Sequence, residues 1–399
     1  MIRTAALALT PSLPALAPAA TLKVPSASYP TIQSGVNAAQ TGDTVLVSKG
    51  TYAESLVIFL KTGIVVRGKG KVAIDPPASD HGVNIVSCAG VTLRGVRIVD
   101  PGGKGIRVAT SNGVEIRDCR VTASAAESIH VESTAQHVTV TGCRVTGSDN
   151  EAIEIEGDHC QVLDNRITDT NYRAVRVLGA FATVTGNRID ATLDEGIFVN
   201  GPDALVADNR IEHASYGSVD VRFDGAGASV FDNDVRDGAG LWIDGDTTHV
   251  VGNRVRGTGN SGIGISSCSN VVVIDNRVRN AGKDGLSFDD ASAFATVRDN
   301  RITKTSGHGA DVDGDDHHLF DNRFSKSASS GIMIRTGSDR NILSGNVVRS
   351  SKLDGVSIDG GQNQVLANVI KKSAGLDLRE EANAGGNVYA GNSYATSNL

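Results

Sequence analysis

The chain has 399 residues, 46 of them glycine, a formal net charge of −7, and only 4% aromatic residues. The acidic balance argues against bulk binding to nucleic acid or to an anionic membrane. No apolar run reaches the ~18 residues of a membrane span, and no Gly-X-Y period supports collagen.

In chain order, residues 1–20 come first. Arg3 precedes a weakly apolar stretch that ends in small residues at Ala17–Ala20. This reads as a short secretory signal, with a secreted or periplasmic location, or else as a floppy cytosolic tail. Residues 21–80 read as a cap helix and the first repeats. Pro30 is placed in the first turn of a helix whose apolar stripe is Ile32, Val36 and Ala39.

Residues 81–399 are filled by a repeat of about 23 residues. The fragment Asp-Asn-Arg-Ile or a relative recurs, and one of its positions runs Cys119, Cys143, Asn165, Asn187, Asn209, Asn233, Asn253, Asn276, Asn300, Asn322, Asn346, Asn368, Asn392. A second motif, Gly-apolar-x-apolar, lies between the copies, as in 105–108, 196–199, 240–243 and 375–378. A further apolar pair precedes each Asn. Each unit therefore holds three short alternating strands. Stacked on like neighbours, they describe an all-β parallel β-helix of about 13 rungs with an N-terminal capping helix. Glycines are expected at the corners and small β-branched residues in a thin interior. Cys119 and Cys143 are expected as stacked buried thiols, with a disulfide between them sterically possible in an oxidising compartment.

These motifs resemble the right-handed parallel β-helix superfamily of pectate lyases and related polysaccharide-active proteins. The Asn column has the placement of that family's asparagine stack. Residues 29–58 resemble its N-terminal cap, with Gly-Asp-Thr-Val at 42–45 and Gly-Thr-Tyr-Ala-Glu at 50–54. The likeness covers roughly residues 24–399. It implies a substrate groove on the first strand of each rung.

There the x position points outward and reads Arg107, His130, Glu154, Arg176, Phe198, Asp220, Trp242, and onward to Asp377. Arg107, His130, Glu154 and Arg176 are the expected catalytic line. Arginines suit a uronate carboxylate, and His130 suits proton transfer at the carbon beside it. Glu127, Glu151, Tyr172, Arg173, Glu195, Phe198, Asp220, Arg222 and Trp242 are the expected substrate contacts. Asp284, Asp289, Asp311 and Asp313 are candidate Ca²⁺ ligands, because family lyases often use Ca²⁺ and it takes oxygen donors.

The expected function is thus a lyase on an acidic, uronate-containing polysaccharide. Two alternatives stay open: a glycoside hydrolase with paired carboxylates such as Glu127 and Glu151, or a non-catalytic carbohydrate-binding or accessory solenoid. The partner in each case is a polysaccharide or oligosaccharide, with no nucleic acid. A column of ten arginines after the turn, from Arg97 to Arg323, is expected to stack and share the turn aspartates two positions back. The C-terminal edge implies a monomer capped by Tyr389 and Tyr394, or weak self-association.

Overall fold

The computed structural model describes residues 18–382 and 384–399. Residues 1–17, most of the expected secretory segment, lie outside that range. No helix among the described residues is long and apolar enough to cross a membrane.

The chain coils into a parallel β-solenoid. One sheet holds 15 strands, from Leu56–Phe59 to Leu378–Glu380. The other holds 30, two per rung, as in Gln161–Leu163 and Arg166–Thr170. The count therefore exceeds the 13 rungs expected. Counting started at Cys119, yet Val72 and Val96 fill the same buried position in earlier rungs.

A helix, Ile32–Ala38, caps the N-terminal end, with Ile32 and Val36 buried against the first strands. Thr31 is its N-cap, its side chain accepting from the Ser34 N–H. Pro30 thus stands outside the helix rather than in its first turn, because the threonine hydroxyl satisfies the end.

Asparagines close the turn between the second and third strands. Asn165 Nδ2 donates to the Val140 carbonyl at 2.9 Å, and its backbone N–H donates to Asn187 Oδ1 at 2.9 Å. The pattern repeats to Asn392. These amides are buried, so each one satisfies polar backbone that water cannot reach. A second, shorter ladder, His317–Asn341–Asn363–Asn387, closes the turn before the second strand in the last rungs. Cys119 and Cys143 are buried free thiols.

The glycines divide into two kinds. Before the Asn, Gly186 takes φ +69 where other rungs use Asp164 or Asp208 with φ near 54, a left-handed bend that Asp also tolerates. Before the first strand, the need is space. A Cβ on Gly262 would meet Val278 Cγ1 at 2.3 Å and the Gly285 carbonyl at 2.8 Å. Corner geometry thus accounts for only part of the glycine content.

Register confirms the outward column from Arg107 to Trp242 and on to Ser357. The last rung differs. Leu378, not Leu376, pairs with Val356, so Arg379 occupies the column and Asp377 does not. Asp377 instead binds the tail, accepting from the Ala395 N–H at 2.9 Å. The C-terminal tail bridges the final strands through Ser393 and Ser397. Tyr389 packs on the core, whereas Tyr394 is exposed and is no lid.

Candidate functional site

Four rungs place the expected catalytic residues side by side on the shorter sheet. Arg107, His130, Glu154 and Arg176 are neighbours in register. His130 and Glu154 are buried, and the two arginines are partly open. Imidazole Nε2 of His130 lies 3.5 Å from Glu154 Oε2 and 3.5 Å from Glu156 Oε1. Glu154 also pairs with Arg176, which lies 3.8 Å from Glu151.

Lys104 completes this centre. Its Nζ contacts His130 Nδ1 and lies 2.9 Å from Glu127 Oε2. Burial pushes the Glu127 carboxyl up, but the Lys104 bond and charge outweigh it and hold it below its ordinary value. Asn150 donates to its other oxygen at 2.8 Å. His81 fixes the backbone beneath, Nδ1 accepting from the Lys104 N–H at 2.8 Å. Burial, with Arg107 and Lys104 nearby, lowers the His81 pKa.

Arg107 uses only Nε, donating to Glu132 at 2.5 Å. Its terminal guanidinium nitrogens make no hydrogen bond among the described residues. They are the freest fork in the groove.

Arg173 is more enclosed. It meets Glu195 at 2.8 Å and Glu151 at 3.5 Å, with its guanidinium 4.3 Å from both the Tyr172 and Phe198 ring centres. Burial raises the Glu151 carboxyl, and the Glu154 charge adds to this.

Farther along, Arg222 meets Asp220 at 2.8 Å and Asp244 at 3.3 Å. Burial pushes Asp220 up to about 7, with Glu195 and Asp244 adding to the effect and Arg222 opposing it. Asp220 Oδ1 is buried without a hydrogen-bond partner.

Trp242 follows Asp220 in register and is 41% exposed. Its ring lies over Gly264, where a Cβ would meet it at 2.5 Å. Tyr216, Trp242, Ser261 and Asp284 line a hollow of about 370 Å³. From His130 to Trp242 the column runs five rungs, about 24 Å.

Of the four candidate metal ligands, Asp284 and Asp311 come together, with His308 between them. Asp289 turns to the Ser267 N–H at 2.9 Å and Asp313 to Ser338. Both Asp311 oxygens bond Arg335 at 2.7 Å. A nitrogen donor and a carboxylate already held by guanidinium are not the oxygen shell that Ca²⁺ takes. Glu127, His130 and Glu154 also cluster, but against the Lys104 amine.

From the sequence, Tyr216 falls in the line of Phe198, Asp220, Arg222 and Trp242, and Lys104, Glu132 and Glu156 fall in the outward columns without a role assigned; only His81 is passed over. Lys104 heads the column that continues Glu127, Glu151, Arg173 and Glu195, and that column was the available signal. His81 carried none, since it precedes the clear repeats.

A family model described as the right handed beta helix region matches residues 61–190 and 173–321. Among curated proteins nothing matches. Solved structures share the fold at low identity. An alginate lyase from Paenibacillus sp. str. FPU-7 is 16% identical with a TM-score of 0.54, over 68% of this chain and 99% of that one. A mannuronic acid specific polysaccharide family 6 lyase from human gut microbiota is 13% identical with a TM-score of 0.56, over 81% and 86%. A DFA-IIIase from Arthrobacter chlorophenolicus A6, without its lid, is 16% identical with a TM-score of 0.51, over 66% and 87%.

Proposed function

The chain belongs to the right-handed β-helix family, and from that premise we propose that it is a polysaccharide lyase. It acts on a uronate-containing chain laid along the shorter sheet. The observation that carries this reading is the contact of Lys104 Nζ with His130 Nδ1 beside the free fork of Arg107. An imidazole nitrogen with a lone pair can accept a proton, and an amine beside it can pass one on. Glu154 and Glu156 flank the far imidazole nitrogen and set its orientation.

Arg107 pairs the uronate carboxylate, which acidifies the adjacent C–H. Lys104–His130 removes that proton. The C–H electron pair forms a carbon–carbon double bond, and the glycosidic C–O bond beyond it breaks. The leaving oxygen takes a proton from solvent. Tyr172, Phe198, Tyr216 and Trp242 offer apolar faces to further sugar rings. Two solved structures of this fold are named as lyases, one of them specific for mannuronic acid, which agrees with this substrate class.

One observation favours a second reading. Asp220, held near pH 7 beside Glu195, has the character of a glycosidase acid. The assay that separates the two follows ultraviolet absorbance and reducing ends on polymannuronate, polyguluronate and polygalacturonate. Absorbance rising with reducing ends, and lost in Lys104→Met, is the expected result. Reducing ends without absorbance would replace the lyase with a hydrolase; neither signal on any polymer would leave the groove without catalysis.

A further inference from the structure

The third strands of the rungs carry a separate line of charge. In most rungs the third strand begins with arginine, and the register stacks these residues one per rung, a pitch of about 4.8 Å. Arg97, Arg120, Arg144 and Arg166 form one run, which Arg188 and Arg210 extend with a carboxylate partner, Glu212. Arg254, Arg277, Arg301 and Arg323 form another beyond Asp234. The eight without such a partner are exposed.

The turn aspartates do not neutralise them. Asp118 pairs with Arg94 at 3.1 Å, and Asp299 pairs with Arg298 at 3.1 Å. These partners lie on the preceding strand. Among the described residues none of the eight stripe arginines has a carboxylate partner, in contrast to Arg210, which Glu212 holds at 2.6 Å. The expected sharing of charge along the Asp-Asn-Arg cassette is therefore absent.

The second run lines two adjoining hollows of about 470 and 460 Å³, to which Arg279, Lys304 and Lys326 add further cations. Asp275 and Asp299 border the first hollow.

We infer that the Arg254–Arg323 stripe is a second binding surface, remote from the groove, for a linear acidic polysaccharide. The match is one of charge and spacing. A uronate polymer presents one carboxylate per sugar ring, a repeat of the same order as the rung pitch, and each guanidinium offers a fork to one carboxylate. The stripe would hold a long chain on the molecule while the groove acts on another stretch of it. The choice of a uronate polymer rests on the proposed function; the stripe itself does not.

The test is affinity electrophoresis of the whole chain through gels containing polymannuronate, at several salt concentrations. The Lys104→Met background removes turnover. R254Q/R277Q/R301Q/R323Q should lose at least tenfold in apparent affinity and much of its salt dependence. The corresponding four Arg→Lys changes should keep most of both, with thermal midpoints unchanged in each.

Unchanged retardation of the Gln set overturns the inference, as does equal loss in the Lys set with a lowered midpoint. Stronger retardation by single-stranded nucleic acid than by polyuronate at equal salt overturns the occupant assigned. Arginine-dependent retention in a wild-type protein that turns over no polymer would sink the proposed function and leave the stripe standing.

Discussion

Two basic nitrogens in contact decide where a proton can go. Lys104 Nζ and His130 Nδ1 form such a pair, with Glu127 on one side and Glu154 on the other. Removing a positioned proton-transfer group typically costs 10²–10⁴-fold in rate. Lys104→Met and His130→Ala should each lower kcat by about that factor while oligosaccharide binding, followed by calorimetry, changes little. A pure loss of binding with kcat intact would assign both residues to recognition instead.

Asp220 offers a separate check. Its folded pKa near 7 lies above the unfolded value of 3.8, so the folded state holds the extra proton between them. Stability should fall as pH rises from about 4 to 7 and level off above that. In Asp220→Asn this contribution is absent. The difference between variant and wild type, from urea denaturation across that range, should grow with pH. A difference that does not vary with pH contradicts the assignment.

The Asn ladder is the element that fixes each turn. Each amide serves two buried backbone groups, so Asn253→Ala leaves the Asn233 N–H without a partner and removes one bond to the Val230 carbonyl. That orphan costs about 1–3 kcal/mol, and the variant should lose about that much in denaturant unfolding. A loss under 1 kcal/mol would mean that water replaces the amide.

Strand–strand register also seats Trp242, the only tryptophan in the chain. Gly264→Leu should tilt its ring, shift its emission and weaken sugar binding with little change in stability. An unmoved spectrum would show that the ring does not depend on that space.

These elements were legible to different degrees. The Asn period and the alternating strands are local and repeat, so the columns from Arg107 to Trp242 follow from the sequence directly. The last rung broke the reading because Gly375-Leu376-Asp377-Leu378 mimics the motif two residues early. Register there is set by Leu378 pairing with Val356. Partners of the arginines were not legible at all. Whether an aspartate turns toward or away from its neighbour depends on backbone dihedrals that composition does not reveal.

Across the whole molecule, a net charge of −7 conceals a division between two faces. The groove gathers buried carboxylates around Lys104 and the arginines, while the third strands carry guanidinium groups without carboxylate partners among the described residues. The C-terminal edge is covered by the chain itself: the Leu378 N–H donates to the Thr396 carbonyl at 3.1 Å, and the Glu380 N–H to Asn398 Oδ1 at 2.9 Å. The thermal midpoint should therefore not vary with protein concentration; a rise with concentration would show a second copy at that edge.

The proposed function requires a sugar chain along the shorter sheet with a carboxylate on Arg107. The most direct measurement is a crystal structure of Lys104→Met with a mannuronate oligosaccharide. It should place one carboxylate within hydrogen-bond reach of the Arg107 terminal nitrogens, its neighbouring carbon facing His130, and further rings running toward Phe198 and Trp242. An oligosaccharide seated only on the arginine stripe, or crossing the groove without touching Arg107, would contradict it.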